Sequence, residues 1–306
     1  MKLLTNSYGT MLQLIKHYKV WLEKDNYKVL YLAFLRVAIS VWLLQELIFN
    51  LPILELLYSS SSFVIPQKNF LNWLPWGYSL IRTHYMWFIV CYMGVIILNI
   101  FGIGRWVTGL LLFVMTHILQ KMNLTVLDGG DVMARLILLY LIFADSYQYF
   151  VLFKQKKINN ARQKVSNLLS NLAAFSIMLH LCLAYFTSGL LKINDPYWWK
   201  GEAIYYTLQM ERFIGTPLNK YIIQHPWIEL IINYAVLAFE LIFPVLVWIK
   251  KCRKPLLIMG ILFHIGIFIF LMIYGFQVVF VLIYGLFLPN NKLVRLKEKA
   301  GNYIRF

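Results

Sequence analysis

The sequence predicts an all-α protein: a polytopic helical bundle of the membrane, with about eight crossings and both termini cytoplasmic. Three observations predict it: an apolar composition, apolar runs of bilayer length, and basic residues gathered between alternate runs. Of 306 residues, 60% are hydrophobic and only 14% charged. A soluble domain of that size lacks the interior to hide so much apolar surface, whereas a bilayer solvates it. Runs that approach the length of about 20 residues needed to cross hydrocarbon occupy 29–50, 85–102, 106–122, 131–153, 167–191, 227–249, 255–273 and 276–289, the last being the shortest.

Charge sets the orientation. The formal charge is +16. Lys2, Lys16, Lys19, Lys24 and Lys28 precede the first run, Arg105 separates the second from the third, and Lys154, Lys156, Lys157 and Lys164 follow the fourth. Lys250, Lys251, Arg253 and Lys254 follow the sixth, and the tail from Lys292 to Arg305 follows the eighth. Eight crossings put all five groups on one face, the positive-inside pattern of a plasma membrane protein. The basic excess then reflects topology and attraction to anionic lipid, which argues against a nucleic-acid partner.

In chain order, residues 1–28 lack the continuous apolar core and small-residue cleavage site of a signal peptide. Tyr8, Met11, Leu12, Leu14, Ile15, Tyr18, Val20 and Trp21, set among lysines, predict an interfacial amphipathic helix over 8–24. The first run carries Arg36 and Glu46. An outer segment, 51–84, holds Ser59 to Ser62, Pro66 and Pro75-Trp76-Gly77. Asp128-Gly129-Gly130-Asp131 opens the fourth run: the glycines permit a tight turn, Asp131 is placed to cap the helix, and Arg135 lies four residues on as its pair. Direct contact with a substrate is the alternative use of that cluster. A second outer segment, 193–226, is aromatic and amphipathic, as expected of short interfacial helices. No linker, composition break or internal repeat divides the chain. We therefore expect one membrane domain, 29–290, between a cytoplasmic segment at 1–28 and a basic cytoplasmic tail at 291–306. Cys91, Cys182 and Cys252 lie on separate elements, and no metal site is expected.

The most informative residue is Lys192, at the outer end of the fifth run. One account is a lysine snorkelling to the headgroups. The other is a base, because an amine shielded from water gives up its proton more readily. Tyr185 and Ser188 share its helix face at i, i+3, i+7. His264, in the seventh run, is either a packing histidine or a proton relay or ring-binding group. His117 and His180 are expected to pack. Glu240, in the sixth run, needs a partner in lipid, for which Arg36 is the expected choice, with Glu46 a further neighbour. Pro244 removes the donor to the carbonyl of residue 240 and predicts a kink beside the carboxylate.

Taken together, Asp128-Gly129-Gly130-Asp131…Arg135, Thr187-Ser188-Gly189-Leu190-Leu191-Lys192 and Trp199-x-Gly201-x-Ala203-Ile204-Tyr205-Tyr206-x-Leu208-Gln209, with Thr216-Pro217-Leu218 after them, resemble the HTTM (horizontally transferred transmembrane) family. That family is the bacterial relative of the membrane domain of vitamin K-dependent gamma-carboxylase. The likeness covers about 27–290. Around Gly260-Ile261-Leu262-Phe263-His264-Ile265-Gly266 the chain is also similar to membrane proteins encoded with sporulation-delaying-type peptide toxins, the sporulation-delaying-protein B-like group. The resemblance implies that Lys192 is the base that deprotonates a lipid-soluble quinol (menaquinol or vitamin K hydroquinone), which then reacts with oxygen, and that His264 belongs to the same site. It implies substrate contacts from Tyr185, Ser188, Trp199 and Tyr205, and supporting charges from Asp128, Asp131, Arg135, Arg36 and Glu240. The chain departs from the carboxylase in three ways. Leu191 replaces the first of two adjacent lysines, Gly130 stands where a histidine is expected, and no large extracytoplasmic domain is expected beside the spans. Two other functions stay open: a maturation, export or immunity partner of a small secreted antimicrobial peptide or its operon products, and a proton-coupled carrier using Arg36, Glu46, Arg135 and Glu240.

Overall fold

A computed structural model describes residues 16–62, 77–153, 159–213 and 215–289. The expected amphipathic stretch before Lys16, the loop with Pro66 and Pro75-Trp76, Lys154 to Lys157, and the tail 291–306 lie outside the described residues. Every regular element among those described is helical: α1 (16–24), α2 (Val29–Phe49), α3 (Leu54–Tyr58), α4 (Gly77–Thr83), α5 (Tyr85–Ile100), α6 (Trp106–Met122), α7 (Gly129–Phe143), α8 (Asn160–Ile193), α9 (Pro196–Lys200), α10 (Ala203–Gln209), α11 (Leu218–Ile223), α12 (Pro226–Leu246), α13 (Lys250–Leu271) and α14 (Tyr274–Tyr284). Four of them, α2, α8, α12 and α13, are long and apolar enough to cross a membrane. Helices α5 and α6 and the stretch Tyr274–Phe287 are apolar but shorter.

The chain forms two compact units. One comprises residues up to Leu127, Ala134–Ser176 and the chain from Leu288; the other comprises Asp128–Met133 and Ile177–Phe287. Both are assembled from separate stretches of sequence, and α7 and α8 each contribute to both. No linear boundary therefore exists for composition to reveal.

In the first unit, α2 buries Leu32, Leu35, Arg36 and Ile39 at helical spacing, and Ile89 and Ile96 of α5 and Leu112 of α6 are likewise buried. The buried Arg36 is satisfied entirely by main-chain oxygen. Its Nε donates to the Ser146 carbonyl (3.2 Å), Nη1 to those of Asn99 and Ile100, and Nη2 to those of Tyr149 (3.3 Å) and Phe150 (2.7 Å). Its guanidinium also stands 4.9 Å from the centre of the Tyr147 ring. Five N–H groups in a fixed planar fork find five carbonyls, an arrangement that a lysine's compact ammonium cannot reproduce.

This clamp corrects two expectations. Arg36 is not the partner of Glu240, since its donors are committed to carbonyls. The run 131–153 is not one helix: α7 ends at Phe143 after 15 residues, about 22 Å at 1.5 Å per residue. The segment after it leaves helical geometry, with Phe150 at φ 54°. A helix would keep its carbonyls for its own ladder, whereas here those of residues 146, 149 and 150 turn to the guanidinium. Ser40 Oγ donates to the Arg36 carbonyl (2.8 Å) and accepts from Asn99 Nδ2 (2.9 Å), continuing the polar layer.

Helix α1 is held at its C-terminal end by α8. Asn167 Nδ2 donates to the carbonyls of Glu23 and Lys24, and Asn171 Nδ2 to those of Leu22 and Asp25. These are the carbonyls a helix end leaves unpaired.

Replacing Arg36 by Met should strip several buried carbonyls of their donors and lower stability by at least about 3 kcal/mol. Arg36→Lys should recover only a minor part of it. Thermal unfolding of the detergent-solubilised variants checks both.

Candidate functional site

The second unit holds Lys192, Glu240, Tyr185, Ser188 and His264 among the residues singled out above. Gly189 lets α8 and α12 approach closely: a Cβ there would stand 2.8 Å from Leu241 Cδ2 and 3.4 Å from Glu240 Cβ. One turn along α8, Lys192 Nζ donates to both carboxylate oxygens of Glu240, each at 2.7 Å, and to Ser188 Oγ, also at 2.7 Å. An ammonium has three donors, and all three are used. The lysine side chain is 20% exposed and the glutamate 5%, so the pair is open on the lysine side only.

A ring covers the pair. The Trp198 indole lies 5.1 Å from Lys192 Nζ, in cation–π range. Helix α9, which carries it, starts at an Asp195 cap on Tyr197 N (2.9 Å) and is tied to α12 twice. Asn233 Nδ2 donates to the Trp198 carbonyl (2.8 Å), and Tyr234 Oη donates to the Trp199 carbonyl (2.7 Å).

Beside this pair is a second polar cluster. Tyr185, seven residues before Lys192 on the same helix face, places its hydroxyl 2.7 Å from His264 Nε2 and also against the Tyr284 hydroxyl. Aromatic rings enclose it: Phe239 and Phe243, which flank Glu240 on α12, lie 5.4 and 4.9 Å from Tyr185, and Phe280 lies 5.9 Å away. Phe276, Phe280 and Tyr284 form an i, i+4, i+8 stripe on α14, and each lies within 6.0 Å of the His264 ring. Gly260 makes room for this: a Cβ there would collide with the Tyr284 hydroxyl.

The sequence candidates divide accordingly. Lys192, Ser188 and Glu240 meet directly, and Tyr185 and His264 meet each other. Trp199 and Tyr205 do not join them. Trp199 is 60% exposed with its indole N–H on the Ile193 carbonyl, and Tyr205 is 37% exposed and packs edge-on against Tyr206. The tryptophan over the lysine is Trp198.

Asp128, rather than Asp131, caps α7: its Oδ1 accepts from the N–H groups of Gly130 (2.7 Å) and Asp131 (3.0 Å). Asp131 reaches back to the Asp128 N–H (3.0 Å), so the two aspartates form a reciprocal capping box. Gly130 faces the Phe276 backbone, where a Cβ would come within 2.7 Å. Arg135 is half-buried one turn further on and acts electrostatically on His117. Pro244 lies within α12, which ends two residues later at Leu246.

The sequence reading missed Trp198, Asn233 and Tyr284. The last two had a signal: Asn233 is two turns from Glu240 on one face of α12, and Tyr284 ends the aromatic stripe of α14.

Comparison with known proteins adds a distant relative. The chain is 26% identical over 183 residues to the uncharacterised protein YitO of Bacillus subtilis (strain 168), an overlap covering 57% of each chain. No family model matches the chain. No solved structure matches it.

The ion pair makes an asymmetric stability prediction. Lys192→Met strands a buried carboxylate and should cost about 3 kcal/mol. Glu240→Leu frees a lysine that can swing toward solvent and should cost less. The double variant should regain most of the loss, as a thermal-unfolding double-mutant cycle will show. Separately, Gly260→Val should displace Tyr284 and uncouple it from Tyr185, with a fall in the unfolding midpoint.

Proposed function

We propose that this protein is a multi-pass membrane enzyme similar to the HTTM and gamma-carboxylase membrane domains, using the Lys192–Glu240 pair to take a proton from a lipid-soluble quinol. The observation that carries this reading is the geometry of the pair. A lysine amine open on one side is joined by two hydrogen bonds to a buried carboxylate, so a proton can pass from ammonium to carboxylate over 2.7 Å. The neutral amine then faces an incoming hydroxyl beside Ser188.

The residues present suit a quinol. A phenolic hydroxyl would meet an amine, a hydroxyl and a carboxylate at one point, next to the Trp198 ring, with Phe239 and Phe243 on the same helix as the carboxylate. When bound, such a quinol supplies the electrons and dioxygen the oxidant. The protein's own task is to orient the ring, remove one proton and keep water from the reacting face. Tyr185, His264 and Tyr284 offer a hydrogen-bonded path along which a proton can be handed on.

On this reading the chain crosses the plasma membrane of a bacterial cell eight times, with the 15-residue α7 in place of the run 131–153. Residues 29–290 form the membrane domain, and the segments at 1–28 and 291–306 are cytoplasmic. Epitope tags at either end should be reached by antibody only after cells are permeabilised.

One observation favours a second reading. All three ammonium donors are already satisfied, as expected of a lysine that anchors α8 to α12. The protein would then be a non-catalytic maturation, export or immunity partner of a secreted antimicrobial peptide. The carrier reading loses support, because Arg36 has no donor left for a solute.

Oxygen uptake by the purified protein in lipid, supplied with reduced menaquinone or vitamin K, tests the first reading. We expect uptake with formation of the quinone epoxide. Uptake should fall about 100-fold or more in Lys192→Met/Glu240→Gln, which lacks the base without stranding a charge. A folded wild type that takes up no oxygen with any of these quinols sinks the enzyme reading and leaves the anchor.

A further inference from the structure

Helix α12 bears a polar face that the Lys192–Glu240 pair uses only in part. Glu229 and Asn233 lie one turn apart on it, with Cβ atoms about 5–6 Å apart. Both are buried, Glu229 to 6% exposure and Asn233 to 0%. Glu229 Oε1 and Asn233 Oδ1 have no hydrogen-bond partner among the described residues. The orientation of the Asn233 amide is fixed chemically: its nitrogen must face the Trp198 carbonyl, which can only accept, so its oxygen faces away from that bond. Two buried oxygens on residues one turn apart, one of them a carboxylate oxygen, thus lack a donor. Leaving such acceptors empty is unfavourable, and native structures rarely do so without a reason.

What is missing is a donor. We propose that Glu229 and Asn233 form a binding site for a primary ammonium group, and that the group is the headgroup of an aminophospholipid of the phosphatidylethanolamine kind. A primary ammonium can donate to both oxygens and offset the carboxylate charge; a quaternary ammonium, which has no N–H, cannot satisfy them. Depth favours a lipid headgroup as the source. Glu229 is in the first turn of a 21-residue apolar helix, where a crossing helix meets the headgroup layer. Trp227, Tyr234, Tyr197 and Trp199 are exposed around it, the aromatic belt that marks that layer. The first turn of α12 also favours the negative charge on Glu229 that an ammonium would need.

The site adjoins the candidate functional pair through one residue. Trp198 gives its carbonyl to Asn233 and its ring to Lys192. Both oxygens are covered in this structure, so entry of a headgroup requires local movement around them. Because Asn233 also holds the Trp198 carbonyl, such movement bears on the ring beside Lys192. The proposal goes beyond the quinol reading and does not depend on it.

Thermal unfolding in nanodiscs provides the test, with no reference to oxygen uptake. Wild type should unfold about 3–6 °C higher in discs of phosphatidylethanolamine than in discs of phosphatidylcholine. Glu229→Gln and Asn233→Leu should each abolish that difference. A difference that persists in both variants is a general bilayer effect and overturns the site. So does the absence of any difference in wild type. If Glu229→Gln in phosphatidylcholine alone is as stable as wild type in phosphatidylethanolamine, and wild type does not distinguish the two lipids, the pair holds a proton rather than a headgroup. Stabilisation by soluble ethanolamine in phosphatidylcholine discs, with none from phosphatidylethanolamine, would reject the lipid source.

Discussion

A charge among apolar helices persists only where protein atoms replace the water around it, and that constraint shapes both units of this chain. Arg36 is satisfied by main-chain carbonyls, which obliges the segment after Phe143 to abandon helical geometry and offer its oxygens inward. Lys192 is satisfied by side chains, which obliges α8 and α12 to pack closely enough at Gly189 for a lysine and a glutamate to meet. The acceptors differ in kind. A carbonyl does not take up a proton under ordinary conditions, so the Arg36 clamp has one state and serves the fold. A carboxylate can, so the Lys192–Glu240 pair has a charged and a neutral form. Of the two cations, only the lysine is joined to a group that can take its proton.

Much of the fold was legible because length and apolar composition translate directly into helices. The run 106–122 coincides with α6, and 29–50 and 227–249 differ from α2 and α12 only at their ends. The failure at 131–153 has a specific cause. Apolar side chains continue past Phe143, but composition cannot register that the backbone is needed elsewhere. Arg36, 110 residues before Ser146, imposes that demand from outside the local sequence.

The site was legible in its residue types and less so in its pairings. Lys192, Ser188, Glu240, Tyr185 and His264 stood out because ionisable and polar groups are rare in apolar runs. Sequence alone could not decide whether Glu240 meets Arg36 or Lys192, since both are cations and distance along the chain does not choose between them. Gly189 decides it, by permitting the approach at the right turn of α8. Trp198 and Trp199 were similarly indistinguishable until α9 was placed, because on a five-residue helix adjacent side chains diverge by about 100°. The Asp128–Asp131 box was assigned to the wrong aspartate for a simpler reason. Either could cap, and the start of α7 at Gly129 selects the first.

The distribution of donors and acceptors across the second unit makes α12 its organising element. Along one face, α12 presents Glu229, Asn233 and Glu240, with only the Asn233 amide nitrogen as a donor, and that donor is spent on the Trp198 carbonyl. Helix α8 answers Glu240 with an ammonium, and α9 lays an aromatic ring across it. Among the described residues no donor reaches Glu229 Oε1. The same helix carries Phe239 and Phe243 next to its deeper carboxylate, and both rings pack on Tyr185. Changes at the N-terminal end of α12 therefore reach the Lys192–Glu240 pair by a short path. The Asn233 amide holds the Trp198 carbonyl, and the Trp198 ring rests beside the ammonium whose proton the site would move.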